Sequence, residues 1–309
     1  MSAGKSLDAL RREIDRIDTE IHDLIQRRTS VVEAVRDIKR NDRIKIRPSR
    51  EDEILYRLVA SHKGNFPKRE LTRIWRELIV ATLSFEGPFS VAVHAEGAAA
   101  PCWDLARDQY GSFTPMKTFP SARRVIEAVR SDAATVGVLP LPRQDDRLPW
   151  WPYLVMTETE APRIIARLPF AGPGNSRQPG AEALVVSPVD RQPTGRDRSL
   201  FAIETADEPG LTRVVAALRT AGLQPLFTAA WHDPHGGPWL YLVEVDGFVT
   251  REERSFARFA HALDASLNRI VGLGGYSIPL TAEELASVPD DPVPAAAEKP
   301  LRKSRKRQK

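Results

Sequence analysis

The chain has 309 residues, more than one ordinary domain needs, so two or three domains are expected, and its 42% of apolar residues can supply their cores. Its formal charge is +4, but seven of its 45 lysines and arginines lie in the last eleven residues, Lys299 to Lys309. The rest holds 38 cations against 41 acids, which argues against a nucleic-acid partner. The single cysteine, Cys102, excludes an internal disulfide and any multi-cysteine metal site. No apolar run reaches the roughly 18 residues of a membrane span, and Met1 to Lys5 opens no signal peptide, so a cytoplasmic protein with no membrane partner is expected.

Apolar residues at Leu7, Leu10, Ile14, Ile17, Ile21, Leu24, Val31, Val35 and Ile38 follow 3-4-3-4 spacing, with Arg28 in one slot of the seam. The pattern predicts a helix from Leu7 to about Lys39, roughly 50 Å long at 1.5 Å per residue. That exceeds what two shorter helices of one chain can cover, so a second copy of the helix is expected as partner. Arg28 alone reads as a buried ion pair or a register device. Arg11 and Lys39, however, each follow an apolar seam residue, and no acid occupies the seam. Arg11 stands about 25 Å from Arg28 along a straight helix, and Lys39 about 16 Å beyond it. Arg11 therefore reaches such a pocket only from an antiparallel partner. Cations facing an apolar interior need an anion, and a dicarboxylate fits.

A break is expected around Asn41 to Pro48. A second helix follows from Ser49-Arg-Glu-Asp52, read as a capping box with Pro48 just outside and with Ile54, Leu55, Leu58 and Val59 on its core side. After a break at Gly64 to Pro67, a third helix to Glu86 is expected to bury Leu71, Ile74, Trp75, Leu78, Ile79 and Leu83. Thr82 and Glu86 share one face near its end, where a glutamate opposes the helix dipole. Gly87-Pro88 ends this helix. From Phe89, short runs such as Val136 to Leu139 and Ala183 to Ser187 alternate with helical stretches, an α/β texture. The stretch Arg167 to Arg198 is dense in proline, glycine and arginine and predicts a boundary near its end. A unit ordered strand, helix, strand, strand, helix, strand follows from Ser199 to about Pro279. The residues beyond Thr281 read as a disordered basic tail.

Leu7-Asp-Ala-Leu-Arg11-Arg-Glu-Ile-Asp-Arg-Ile-Asp18, Arg27-Arg28, Lys39 and Pro48-Ser-Arg50-Glu51 together resemble the three-helix chorismate mutase domain at the N-terminus of bifunctional chorismate mutase–prephenate dehydratases. The resemblance covers about the first 86 residues. It implies an all-α, intertwined homodimer and an isomerase that converts chorismate to prephenate without metal or cofactor. It also implies roles: Arg28 and the partner subunit's Arg11 on the two carboxylates, Lys39 at the ether oxygen and a carboxylate, and Arg50 as the second helix's arginine. Glu51 holds the ring hydroxyl, Thr82 stands where a serine is frequent, and Glu86 meets the ether oxygen. The catalytic set is thus Arg28, Lys39, Glu51 and Glu86. Two positions depart from the pattern. Arg47 replaces an acid, and Glu86 replaces a glutamine and donates a hydrogen bond only when protonated. A raised Glu86 pKa would favour activity at mildly acidic pH.

Residues 89–198 resemble a shortened prephenate dehydratase domain through Tyr110-Gly111, Phe119 to Val129 and Ala134 to Pro140. Ala181-Glu-Ala-Leu-Val185 stands in place of the family's Thr-Arg-Phe motif, so no dehydratase activity is expected. Residues 199–280 resemble an ACT domain through Asp207-Glu-Pro-Gly210, Pro238 to Gly247 and Leu273-Gly-Gly-Tyr276. The resemblance implies an amino-acid effector, but Thr228 to Pro234 replaces the phenylalanine motif Glu-Ser-Arg-Pro, which argues against phenylalanine. A structural or dimerising role stands equally open. The segments are therefore 1–88, 89–198, 199–280 and 281–309. His232 and His235 lack a third ligand nearby, so no metal is expected, and Cys102 reads as packing. Two other functions stay open: a non-catalytic regulatory protein with a mutase-like pocket, and a lyase releasing pyruvate from isochorismate.

Overall fold

The computed structural model describes residues 6–38, 46–96, 101–156, 158, 161–263 and 266–286, with residues 84–86 described in their backbone alone. An N-terminal helical region precedes a large mixed-sheet α/β region. The helices are α1 (Leu7–Ile38), α2 (Pro48–Ser61) and α3 (Lys68–Glu86). Then come β1 (Val91–His94), α4 (Pro101–Tyr110), β2 (Met116–Phe119), α5 (Ala122–Arg130), β3 (Val136–Pro140), β4 (Arg163–Leu168) and β5 (Ala183–Ser187). The last elements are β6 (Asp197–Thr205), α6 (Leu211–Thr220), β7 (Pro225–His232), β8 (Trp239–Asp246), α7 (Arg254–Leu263), β9 (Leu267–Ser277) and the single turn α8 (Ala282–Leu285). The two strands read from β-branched runs are β3 and β5, and the strand-helix alternation expected after Ser199 is found.

All nine strands form one sheet in the order β2-β1-β3-β5-β4-β9-β6-β8-β7. Strands β2, β1 and β3 run parallel, as crossovers through α4 and α5 require. Pairings within β6 to β9 are antiparallel. The two halves meet where β4 and β9 run parallel through one register pair, Ile164 with Gly274. One face of the sheet carries α4 and, beyond the junction, α6 and α7, packed on residues such as Val93, Val138, Phe201 and Val243. The other carries α5 and the Trp150 to Leu154 segment.

The glycine pair in Leu273-Gly-Gly-Tyr276 belongs to this junction. Gly274 has φ +98, and a Cβ there would lie 2.2 Å from the Ile164 carbonyl oxygen; one on Gly275 would lie 2.1 Å from that of Arg198. Only glycine lets both neighbouring backbones approach so closely.

The helical region departs from expectation in three places. Pro48 lies inside α2, at its first turn, where its missing N–H leaves nothing unpaired. Ser49 makes no cap. Its hydroxyl donates to the Gln192 carbonyl (2.6 Å) and accepts from the Gln192 N–H (3.0 Å), so a tertiary partner displaces the local one. On α3 the face against α4 and the sheet buries Thr72, Arg76, Ile79, Val80, Thr82 and Leu83, whereas Ile74 is 44% exposed and Leu71, Trp75 and Leu78 are half-buried. The expected stripe suits a helix packed only in a bundle; α3 is shared between α1 and the α/β body.

Gly274→Ala should lower stability by at least about 2 kcal/mol, because it adds left-handed strain to a backbone clash. A thermal melt superimposable on the wild type would show that β4 can move aside.

Candidate active site

Helix α1 buries none of its residues within the chain. All nine seam residues are between 38% and 84% exposed, an apolar stripe about nine turns long at 3.6 residues per turn. Arg28 is its half-buried exception. Its Nη1 donates to the Leu78 carbonyl on α3 (3.1 Å), and among the described residues it meets no carboxylate. Burial pulls this guanidinium's pKa below its usual range. Thr82, one turn after Leu78, is buried, and its hydroxyl donates within α3 to the Ile79 carbonyl (2.8 Å) and lies 3.3 Å from that of Leu78. Arg28 and Thr82 are thus brought together at one carbonyl.

The other expected residues are distributed differently. Arg11 sits near the exposed start of α1 beside Asp8 (3.7 Å), about 25 Å from Arg28 along the helix axis. Arg50 points to Glu53 (3.2 Å) in an exposed ion pair, the solvated-end arrangement that contributes little stability. Glu51 turns inward, with Oε2 accepting from Arg76 Nη1 at 2.8 Å and Oε1 from the Arg47 N–H at 3.4 Å. Lys39 and the Glu86 side chain lie outside the described residues. Cavities of about 310, 490 and 570 Å³ occur elsewhere in the molecule, and Arg11, Arg28, Arg50, Glu51 and Thr82 line none of them.

Arg76 and Asp52 were not anticipated. The Arg76 side chain is 6% exposed and that of Asp52 5%, with Nη2 to Oδ1 3.4 Å apart. Ser277 of β9 hydrogen-bonds Asp52 as well. Arg191 Nη2 in turn donates to Ser277 Oγ (3.0 Å) and to Asp197 (2.7 Å). Burial raises the Asp52 carboxyl to about 7, although Arg76 opposes the shift. The available signal was an arginine four residues after Thr72 and four before Val80, on a face otherwise small or apolar.

Residues 10–87 match the chorismate mutase type II family. Among curated relatives, the bifunctional chorismate mutase/prephenate dehydratase of Aquifex aeolicus is 34% identical over 145 residues, 44% of this chain and 39% of that protein. The bifunctional chorismate mutase/prephenate dehydratase of Stutzerimonas stutzeri is 29% identical over 148 residues, 46% of this chain and 40% of its own. The chain therefore spans about two fifths of the length of the curated relatives it matches. Among solved structures, the prephenate dehydratase of Arthrobacter aurescens in complex with L-Phe aligns with a TM-score of 0.45 and 13% identity, over 62% of this chain and 92% of that one. The mutase match covers α1 to α3 and includes Arg11, Arg28, Arg50, Glu51 and Thr82.

Asp52 gains its proton near pH 7 in the folded protein and near pH 4 once unfolded. Between those values the folded state binds more protons, so this group's contribution to stability falls as pH rises from about 4 to 7. Asp52→Asn should flatten that slope and raise the melting temperature at pH 8 above the wild type. An unchanged melting profile across pH 5 to 8 would rule out this carboxylate as the source.

Proposed function

We propose that this chain is a chorismate mutase, an isomerase converting chorismate to prephenate in aromatic amino-acid biosynthesis. The observation that carries the reading is Arg28: a half-buried guanidinium on an apolar seam, inside the region matched to the mutase family, with no carboxylate to meet it. In the rearrangement one C–O bond breaks as one C–C bond forms within the same molecule. No nucleophile, metal or general base is required. The protein must hold the compact reactive conformer and stabilise charge developing on the ether oxygen, which preorganised cations do.

In this reading Arg28 holds one carboxylate and Lys39 the ether oxygen. Glu51 orients the ring hydroxyl, with Arg50, Thr82 and Glu86 completing the wall. Arg11 serves the partner's site, since it cannot reach its own. The exposed stripe on α1 supports the homodimer this needs: an unpaired apolar seam of this length is covered when a second α1 lies antiparallel along it. The same proposal takes residues 1–88 as the mutase, 89–198 as a dehydratase-like region without dehydratase activity, 199–280 as an ACT-like module and 281–309 as a tail. The absence of the Thr-Arg-Phe and Glu-Ser-Arg-Pro motifs supports its view of the middle and last folded segments.

The pure protein should consume chorismate and release prephenate, and Arg28→Ala should lower kcat by at least about 100-fold, the usual effect of losing one preorganised donor. Loss of chorismate absorbance with product identification checks this, and a folded dimer without turnover would move the chain to the regulatory class. Supplied with prephenate, the protein should form no phenylpyruvate; its appearance would restore dehydratase activity to the middle segment. Light scattering should give twice the mass of one chain, and a monomer at assay concentration would remove Arg11 from the site.

A further inference from the structure

Arg76 occupies a position that packing alone does not explain. It projects from the buried face of α3, among Thr72, Ile79, Val80 and Leu83. A buried ion pair is seldom more stabilising than apolar side chains of the same volume, so its presence calls for something that geometry supplies. Its guanidinium is fixed on three sides. Nη1 holds Glu51 Oε2 at 2.8 Å, Nη2 holds Asp52 Oδ1 at 3.4 Å, and its central carbon lies 5.7 Å from the centre of the Phe170 ring. Asp52 is itself anchored to Ser277, beyond the helical region. The planar fork of an arginine suits two carboxylates on successive residues, as a lysine's point charge does not.

We infer that Arg76 is a positioning residue for Glu51: backed by Asp52, it sets where the Glu51 carboxylate stands to receive the ring hydroxyl of a chorismate-like substrate. The inference rests on the mutase reading above. A carboxylate accepts about four hydrogen bonds, so Glu51 can keep its bond to Arg76 and take a hydroxyl donor in the same geometry. Glu51 lies in the first turn of α2, where a side chain without a tether samples several rotamers. Holding it in one before substrate arrives removes that ordering loss from the binding step. The burial that raises the Asp52 pKa leaves more of the Arg76 charge to Glu51 near neutral pH.

The test is a double-mutant cycle in the full-length protein, with chorismate turnover and melting temperature measured together. Arg76→Lys should lower kcat/KM at least about tenfold, and combining it with Glu51→Gln should cost no more than about threefold beyond Glu51→Gln alone, because both remove one function. Wild-type kcat/KM in Arg76→Lys, or losses that multiply in the double variant, would overturn the inference and leave the mutase reading intact. A folded wild type without turnover would overturn both. Should Arg76→Lys not fold, Asp52→Asn replaces it in the cycle, since it keeps the Arg76 charge and loosens only its backing. There a fall of about threefold or more, absent once Glu51 is glutamine, supports the inference; an unchanged or multiplied rate overturns it.

Discussion

A guanidinium removed from water must have its charge met within contact distance, and in this chain that requirement reaches from the first helices to the last strand. Arg76 on α3 is answered by Glu51 and Asp52, adjacent residues of α2. Asp52 then turns to Ser277 at the end of β9, and Ser277 and Asp197 receive Arg191. Each step is a polar contact in a largely apolar setting, so none can be lost without leaving a buried group unpaired. α2, α3, β9 and the segment before β6 are thereby located relative to one another. The Ser49 contacts with Gln192 and the Tyr56 hydroxyl bonded to the Ile278 carbonyl extend the same contact along α2.

Helix α1 follows the opposite logic. It touches α3 along part of its length and gives the rest of its apolar surface to solvent. The single chain therefore holds a complete polar joint on one side of α3 and an incomplete apolar one on the other, with Arg28 at the boundary. The proposed site lies on the incomplete side. Its composition follows from that placement: cations that cannot find acids within their own chain, on a surface that a second chain would cover.

Patterns of local period were legible in the sequence. The seam of α1 predicted its extent to within one residue, and the β-branched runs predicted β3 and β5 because a buried strand leaves few alternatives to such runs. The order of strands and helices after Ser199 could be read for the same reason. Arg28 was legible because it broke a regular seam. What depended on distant partners was not. Ser49 looked like a cap because the residues that take it over lie 143 positions away. Arg76 and Asp52 looked like surface charges because their burial comes from β9 and the 168–170 stretch. Ile74 was assigned inward because periodicity gives the angle between faces of a helix and leaves open which face a second layer covers.

The narrow junction between β4 and β9 gives α2 a mechanical role. The half-sheets touch there through Ile164 and Gly274 and, further along, through a bridge between Ala171 and Leu280. By contrast β6 and β9 pair along nearly their whole length. Phe170 follows β4, Leu280 follows β9, and both pack on Leu55 and Val59 of α2. The helix thus lies across the seam like a splint, gripping one residue from each side. Load applied between the half-sheets is borne by the same helix that carries Arg50 and Glu51, so bending at that seam is transmitted to the first turn of α2.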